Sequence, residues 1–252
     1  MNRHEFHLKF GSKNPIVLPV IHVLNYEQTH RNIVIAMEGG CPGVFLINHD
    51  FEKEKLLPII KRIRATFSDY WLGINFLAVT GEFAFPILGA LQSEGICIDG
   101  YWADDACIDE RRGENDQIEA NRITTARKES GWQGLYIGGT AFKKQRDVDP
   151  AGYAYSAQLA TRYMDVVVTS GIATGHAADV EKIKTFRTSC GDTALAIASG
   201  ITLDNVKDYV EDADLLMVAT GINFKDDFYN IDPKKLKNLM DSIKSTGVKY
   251  EF

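Results

Sequence analysis

Continuous apolar runs recur along the chain, and longer amphipathic stretches separate them. Polar and apolar residues do not alternate within a run, which is typical of strands buried on both faces of a parallel sheet. Eight runs are present: Pro15–Leu24, Cys41–Asn48, Trp71–Ala78, Ile96–Trp102, Gly134–Phe142, Asp165–Ser170, Ala194–Ser199 and Asp214–Thr220. The pattern predicts eight parallel strands, of which the fourth has the weakest signal.

The stretches between the runs carry helical signals. Apolar residues recur there at helical spacing. Asp232 and Pro233 supply an N-cap and a favourable first position for the last helix. The predicted helices are Phe51–Thr66, Asn115–Ser130, Pro150–Tyr163, Ala178–Thr188, Asp204–Val210 and Asp232–Ser245.

This alternation predicts an α/β protein, a (β/α)8 TIM barrel that spans residues 1–252 as a single domain. A doubly wound open sheet is the alternative, because it also alternates strands and helices. Two features favour the barrel. No GxGxxG follows the first strand, where an open dinucleotide-binding sheet would need it. Polar turns with glycine follow nearly every strand, as expected if all the loops face one site.

Composition excludes several classes of protein. Hydrophobic residues make up 45% and charged residues 25% of the 252 residues, which is ordinary for a globular chain. The formal net charge of −6 leaves no basic footprint for nucleic acid. No apolar run reaches the roughly 18 residues of a membrane span, and the N-terminal residues lack the apolar core of a secretory signal. The four cysteines form no CxxC pair. A cytoplasmic protein without an organic cofactor is therefore expected, and the sequence leaves open whether it is a homo-oligomer.

The turns after the seventh and eighth strands predict a phosphate site. Phosphate groups in this fold are often held by these two loops. Ser199-Gly200 and Thr220-Gly221 stand there, and glycine lets backbone N–H groups approach an anion. Lys225 could add a positive charge. The alternative is that turns from strand to helix simply need glycine.

Three ionisable residues are candidates for acid/base chemistry. Asp99 and His22 interrupt apolar strand runs, and a buried carboxylate must be paired, hydrogen-bonded or shifted in its pKa. Lys143 follows the fifth strand, together with Lys144, and could handle developing charge or pair with Asp99. Each could instead be a structural residue of the core.

Other side chains near the predicted strand ends leave alternatives open. His22, His49 and Asp50 could hold a metal ion, but no third strand supplies a clear ligand, so none is predicted. The charged segment from Asp104 to Arg112 could be a solvated loop or a lid over the site.

An ordered set of short stretches runs through these positions: His22, Gly73-Ile74-Asn75, Ala126-Arg127, Lys143, Val168–Gly175, Ser199-Gly200-Ile201, Lys225-Asp226 and Asp232-Pro233. In these stretches the chain, from Pro19 onward, resembles the BtpA/SgcQ family of (β/α)8 proteins, named in part for photosystem I biogenesis. The resemblance implies the barrel more than a reaction, because some members look like sugar-operon proteins and others are associated with photosystem assembly. The chain departs from the family in Gly138-Gly139, where an aspartate is expected on strand five.

Two functions follow as hypotheses. The first, favoured by the polar groups after strands one to five, is an enzyme acting on a phosphorylated sugar or ribosyl compound. Its reaction would be of isomerase, epimerase or lyase type, similar to that of a phosphoribosyl isomerase, with Asn75 and Thr169 orienting the substrate. The second is a non-catalytic assembly or stability factor that retains the barrel, which would show a broad apolar patch outside it.

Overall fold

The strands pair in parallel with their neighbours in chain order, and the last pairs with the first to close the ring. The computed structural model describes residues 1–143, 145–173 and 175–250. Within these residues the strands are β1 (Ile16–His22), β2 (Gly43–Ile47), β3 (Trp71–Asn75), β4 (Gly100–Ala103), β5 (Leu135–Gly139), β6 (Val166–Ser170), β7 (Ala194–Ala198) and β8 (Leu215–Val218). The predicted (β/α)8 TIM barrel is confirmed.

The helices lie between the strands, with two departures from strict alternation. The α-helices of the described residues are α1 (Arg3–Phe10), α2 (Tyr26–Glu38), α3 (Lys53–Thr66), α4 (Gly81–Ser93), α5 (Ile118–Ser130), α6 (Tyr153–Ala160), α7 (Val180–Cys190) and α8 (Pro233–Ser245). The first precedes β1 and was not predicted, and neither were α2 and α4. The predicted helix Asp204–Val210 is reduced to one 3₁₀ turn at Val206–Asp208.

The unpredicted helix α1 closes the amino-terminal end of the barrel. Asn2 and Glu5 form a capping box that starts it. Phe6 is fully buried in the apolar cluster inside the barrel, and Phe10 packs against Trp71 with ring centroids 5.5 Å apart. Helix α1 therefore covers the barrel interior at the end opposite the carboxyl ends of the strands.

Asp99 also lies at the amino-terminal end, so its predicted place at the mouth of the barrel is wrong. The apolar run at Ile96–Trp102 starts four residues before the strand, because β4 begins at Gly100. The Asp99 carboxylate accepts hydrogen bonds from Arg64 Nη2 at 2.6 Å and from the backbone N–H of Leu72 at 2.8 Å. It links α3 to the starts of β3 and β4.

The same arrangement recurs before β6 and β8. Asp165 accepts from Arg127 Nη2 and from the Tyr136 backbone N–H, and Asp214 accepts from Arg187 Nη1 and from the Leu195 backbone N–H. In each case an arginine late in a helix, an aspartate before a strand and the second residue of the preceding strand meet. We call these contacts the Asp–Arg clamps. They are structural, because they fix strands at the end away from the mouth.

Candidate active site at the carboxyl ends of the strands

A pocket opens where the strands end, and seven of the eight βα connections contribute to it. Its apolar wall includes Val20, Ile47, Trp102 and Met217. The polar residues that line it are His22, His49, Asp104, Lys143, Ser199 and Thr220. The pocket therefore brings together candidates for acid/base chemistry and the predicted phosphate loops.

His22 ends β1 and is a buried, neutral base at this pocket. Its Nδ1 lies 3.1 Å from the carbonyl oxygen of Phe228. A carbonyl can only accept a hydrogen bond, so Nδ1 carries the proton and Nε2 keeps its lone pair. Burial, and after it the neighbouring His49, lower the pKa of His22 to about 3. The His22 and His49 rings lie 5.0 Å apart.

Asp104 supplies the carboxylate that sequence reasoning assigned to Asp99. It follows β4 directly, is buried, and accepts a hydrogen bond from Asn75 Nδ2 at 3.2 Å. Asn75 is fully buried on β3 beneath it and does not line the pocket, so it positions Asp104. The sequence signal was present, because Asp104 follows Tyr101, Trp102 and Ala103, but the strand had been placed several residues too early.

Lys143 lines the pocket on a loop that the end of β6 holds in place. Its backbone N–H donates to Ser170 Oγ at 2.9 Å. Lys182 of α7, which was not predicted, donates from Nζ to the carbonyl of Ala141 at 2.6 Å and to that of Ser170 at 2.8 Å. Burial lowers the pKa of Lys182 to about 8. Lys182 thus joins the ends of β5 and β6 behind Lys143.

The loops after β7 and β8 are packed backbone against backbone. A Cβ on Gly200 would collide with the backbone at His176 and Ala177, and one on Gly221 would collide with the carbonyl of Ile201. Both positions therefore need glycine for structural reasons, whatever they bind. Ser199 and Gly200 both have positive φ, of 78° and 68°, so the chain turns sharply at the end of β7.

These loops nevertheless present donors without acceptors. Among the described residues, the backbone N–H groups of Gly200, Thr220 and Gly221 donate to no protein group. Gly200 and Thr220 line the pocket, whereas Gly221 lies behind it. Backbone N–H groups of this kind are what an anion needs.

Other predicted residues lie away from the pocket. Thr169 is buried in the barrel wall, where its hydroxyl donates to the Ala141 carbonyl at 3.1 Å, so it cannot orient a substrate there. Lys225 is exposed on the loop after β8 and does not line the pocket. Lys144, and Thr174 of the turn after β6, lie outside the described residues. In the described part of the chain, no three His, Cys, Asp or Glu side chains are placed to hold a metal ion.

The family comparison covers the carboxyl-terminal part of the chain. A model of the BtpA family matches residues 153–245. We call these residues the BtpA segment. The BtpA segment runs from the start of α6 to the end of α8 and includes the loops after β6, β7 and β8. His22, Asn75 and Lys143, which also carried the resemblance, lie outside it. No curated protein matches the chain.

Solved structures similar to this chain share its fold. A tryptophan synthase subunit alpha from Legionella pneumophila str. Paris aligns with a TM-score of 0.65 at 13% identity, covering 97% of this chain and 99% of that one. A native KDPGal structure has a TM-score of 0.63 at 10% identity, covering 92% and 95%. A phosphoribosyl anthranilate isomerase from Thermus thermophilus has a TM-score of 0.58 at 13% identity, covering 92% and 99%. No helix among the described residues is long and apolar enough to cross a membrane.

Proposed function

We propose that this protein is an enzyme that acts on a phosphorylated sugar or ribosyl compound by acid/base chemistry, of isomerase, epimerase or lyase type. One observation carries the proposal: a neutral histidine, a buried carboxylate and a lysine line the same pocket as the loops after β7 and β8. Perturbed ionisable groups that converge in a concave pocket are the usual sign of a catalytic site. The phosphorylated ligands suggested by the names of the similar structures are consistent with it.

Each residue has a distinct role in this proposal. His22 accepts a proton at Nε2, because its Nδ1 proton is committed to the Phe228 carbonyl. Asp104 returns or directs a proton on the side of the pocket formed by β4. Lys143 stabilises negative charge that develops on the substrate. The phosphate lies against the N–H groups of Gly200 and Thr220, and Asp99 and Thr169 have no part in the reaction.

A non-catalytic assembly factor is the second candidate, and one observation favours it. Phe83 of α4 and Ile118 of α5 expose 65% and 52% of their surface on the outside of the barrel. Large exposed apolar side chains occur at protein interfaces. The enzyme remains the better proposal, because an assembly factor does not require a buried neutral histidine in a pocket.

Calorimetric titration with inorganic phosphate and ribose 5-phosphate tests the phosphate site. Thr220→Asp places a carboxylate beside the proposed phosphate and should weaken binding at least about tenfold. The matched control Thr125→Asp lies on the exposed face of α5 and should change nothing. Lys143→Met should also weaken binding about tenfold or more, because a charged hydrogen bond is lost, while Lys225→Met should not. Equal affinities for wild type and Thr220→Asp would place the ligand elsewhere.

Solvent deuterium exchange tests the acid/base step without a known product. NMR in D₂O would follow deuterium entering carbon positions of a panel of aldose and ketose phosphates. His22→Gln should slow exchange by about 10²–10⁴-fold while phosphate binding persists. Binding without any exchange in the wild type would favour the second candidate.

A further inference from the structure

The loop that covers His22 is held by polar residues of α2 that no catalytic role explains. Residues 223–231 form a small hairpin, closed by a bridge between Asn223 and Ile231. Its tip carries Phe228, whose ring stacks on the His22 ring with centroids 3.8 Å apart. The carbonyl of Phe228 is also the partner of His22 Nδ1. Thus this loop, and not β1 itself, decides which ring nitrogen of His22 is protonated.

Gln28 anchors the hairpin to the end of β1. It is 4% exposed, and its Nε2 donates to the carbonyl of His22 at 3.1 Å and to that of Tyr229 at 2.6 Å. Its Oε1 accepts from the backbone N–H of Leu24 at 3.1 Å. One buried amide therefore ties together the His22 backbone, the start of the next loop and the residue after Phe228.

Asn32 anchors the other side of the same hairpin. It is fully buried, one helical turn after Gln28 and on the same face of α2. Its Nδ2 donates to the carbonyl of Tyr229 at 2.7 Å, and its Oδ1 accepts from the N–H of Ile231 at 3.2 Å. A buried polar side chain costs folding free energy unless it has hydrogen-bond partners. The hairpin supplies those partners to the polar face of α2.

We propose that Gln28 and Asn32 are positioning residues that fix the tautomer of His22, by holding the Phe228 carbonyl against its Nδ1. The proposal rests on the proposed function in one respect. That function gives the tautomer a role, because the unprotonated Nε2 can accept a proton. The geometry explains why a buried histidine does not simply reorient, because the stacked Phe228 ring and the Nδ1 hydrogen bond act on it together.

Two-dimensional ¹⁵N NMR of the imidazole groups tests the proposal, because the two nitrogens of each tautomer have distinct shifts. Wild-type His22 should be in the form with Nδ1 protonated. In Gln28→Met and in Asn32→Leu, which keep side-chain size but lose the amides, a second tautomer should appear for His22. The pKa of His22, lowered to about 3 in the wild type, should rise towards its ordinary 6.5 as the loop loosens.

A matched control separates this effect from general destabilisation. Gln117 is equally buried and ties the loop after β4 through Asp109, so Gln117→Met should cost similar stability and leave His22 unchanged. If Asn32→Leu does not fold, Gln28→Met gives the same readout by itself. A wild-type His22 protonated at Nε2, or one whose tautomer survives in the folded variants, would overturn the proposal. The measurement needs no ligand, so a failure to bind phosphate would count only against the proposed function.

Discussion

The two ends of the barrel differ in the contacts of their ionisable side chains and in their backbone conformation. At the amino-terminal end, Asp99, Asp165 and Asp214 each have an arginine and a backbone N–H as partners. At the carboxyl-terminal end, a neutral histidine, a carboxylate and a lysine meet around a pocket. One end uses ionisable groups to fix strands, and the other gathers them around a pocket.

Backbone conformation follows the same division. Among the described residues, the non-glycine residues with positive φ are Ala78, Cys107, Ala141, Ser199 and Asp226, and all five follow the carboxyl ends of strands. Such conformations cost free energy and persist where the surrounding structure enforces them, which is common at functional sites. The amino-terminal end has the stabilising contacts, and the mouth has the strained ones.

Removing the most buried clamp should have the largest effect. Asp214 is fully buried against Arg3, His7 and Arg187, so Asp214→Asn leaves cationic groups without their partner. We expect a loss of about 3–5 kcal/mol in the free energy of unfolding, measured in urea, with unchanged phosphate affinity in the folded protein. Asp241→Asn, which breaks an exposed pair with Lys237, should leave the free energy of unfolding nearly unchanged. A comparable loss in both variants would contradict the structural role of the clamp.

Acid should reveal the cost of keeping His22 neutral. The folded protein holds the pKa of His22 at about 3, below its ordinary 6.5, because the group is buried. Below pH 6.5 the His22 imidazole binds a proton in the unfolded chain but not in the folded chain. The free energy of unfolding is therefore highest above pH 6.5 and decreases as the pH falls towards 3. At about 1.4 kcal/mol per pH unit, wild type should lose about 3 kcal/mol more than His22→Gln between pH 6.5 and 4. Urea unfolding at each pH measures this, and parallel curves would show that His22 is protonated in the folded state.

The smallest effect should come from relieving strain at the mouth. Ala78 is exposed after β3 with φ of 61°, so Ala78→Gly should raise the free energy of unfolding by about 0.5–1 kcal/mol. The matched change Ala90→Gly, on the exposed face of α4, should lower it by about 1 kcal/mol. Thermal unfolding of both variants decides the point. The same sign in both would mean that the conformation at Ala78 carries no strain.

The sequence predicted the barrel well because its strands are buried on both faces and therefore read as apolar runs. It predicted helices less well where their buried faces are polar. The buried face of α2 carries Gln28, Thr29 and Asn32, so the apolar periodicity is interrupted. Gln28 and Asn32 bind a distant loop there. In α4 the residues are apolar on most sides, and Pro86 and Gly89 obscure the helical signal.

The site was predicted in part. His22 and Lys143 were found because an ionisable residue at the end of an apolar run is conspicuous. Asp99 was chosen over Asp104 because an apolar run does not mark where a strand starts to pair, and the partner of Asp99, Arg64, is remote in sequence. The loop with Phe228 could not be predicted, since its position depends on hydrogen bonds to α2.

The Asp–Arg clamps join strands of the barrel in pairs. Each clamp joins a strand to its successor, in the pairs β3–β4, β5–β6 and β7–β8. In the part of the chain that the structure describes, β1 and β2 have no clamp of this kind, and α2 between them is bonded to the loop after β8 instead. We therefore expect local opening to begin with the unclamped pair, because sub-global unfolding follows the least stabilised unit. That pair carries His22, so the pocket should lose the proposed base before the barrel unfolds.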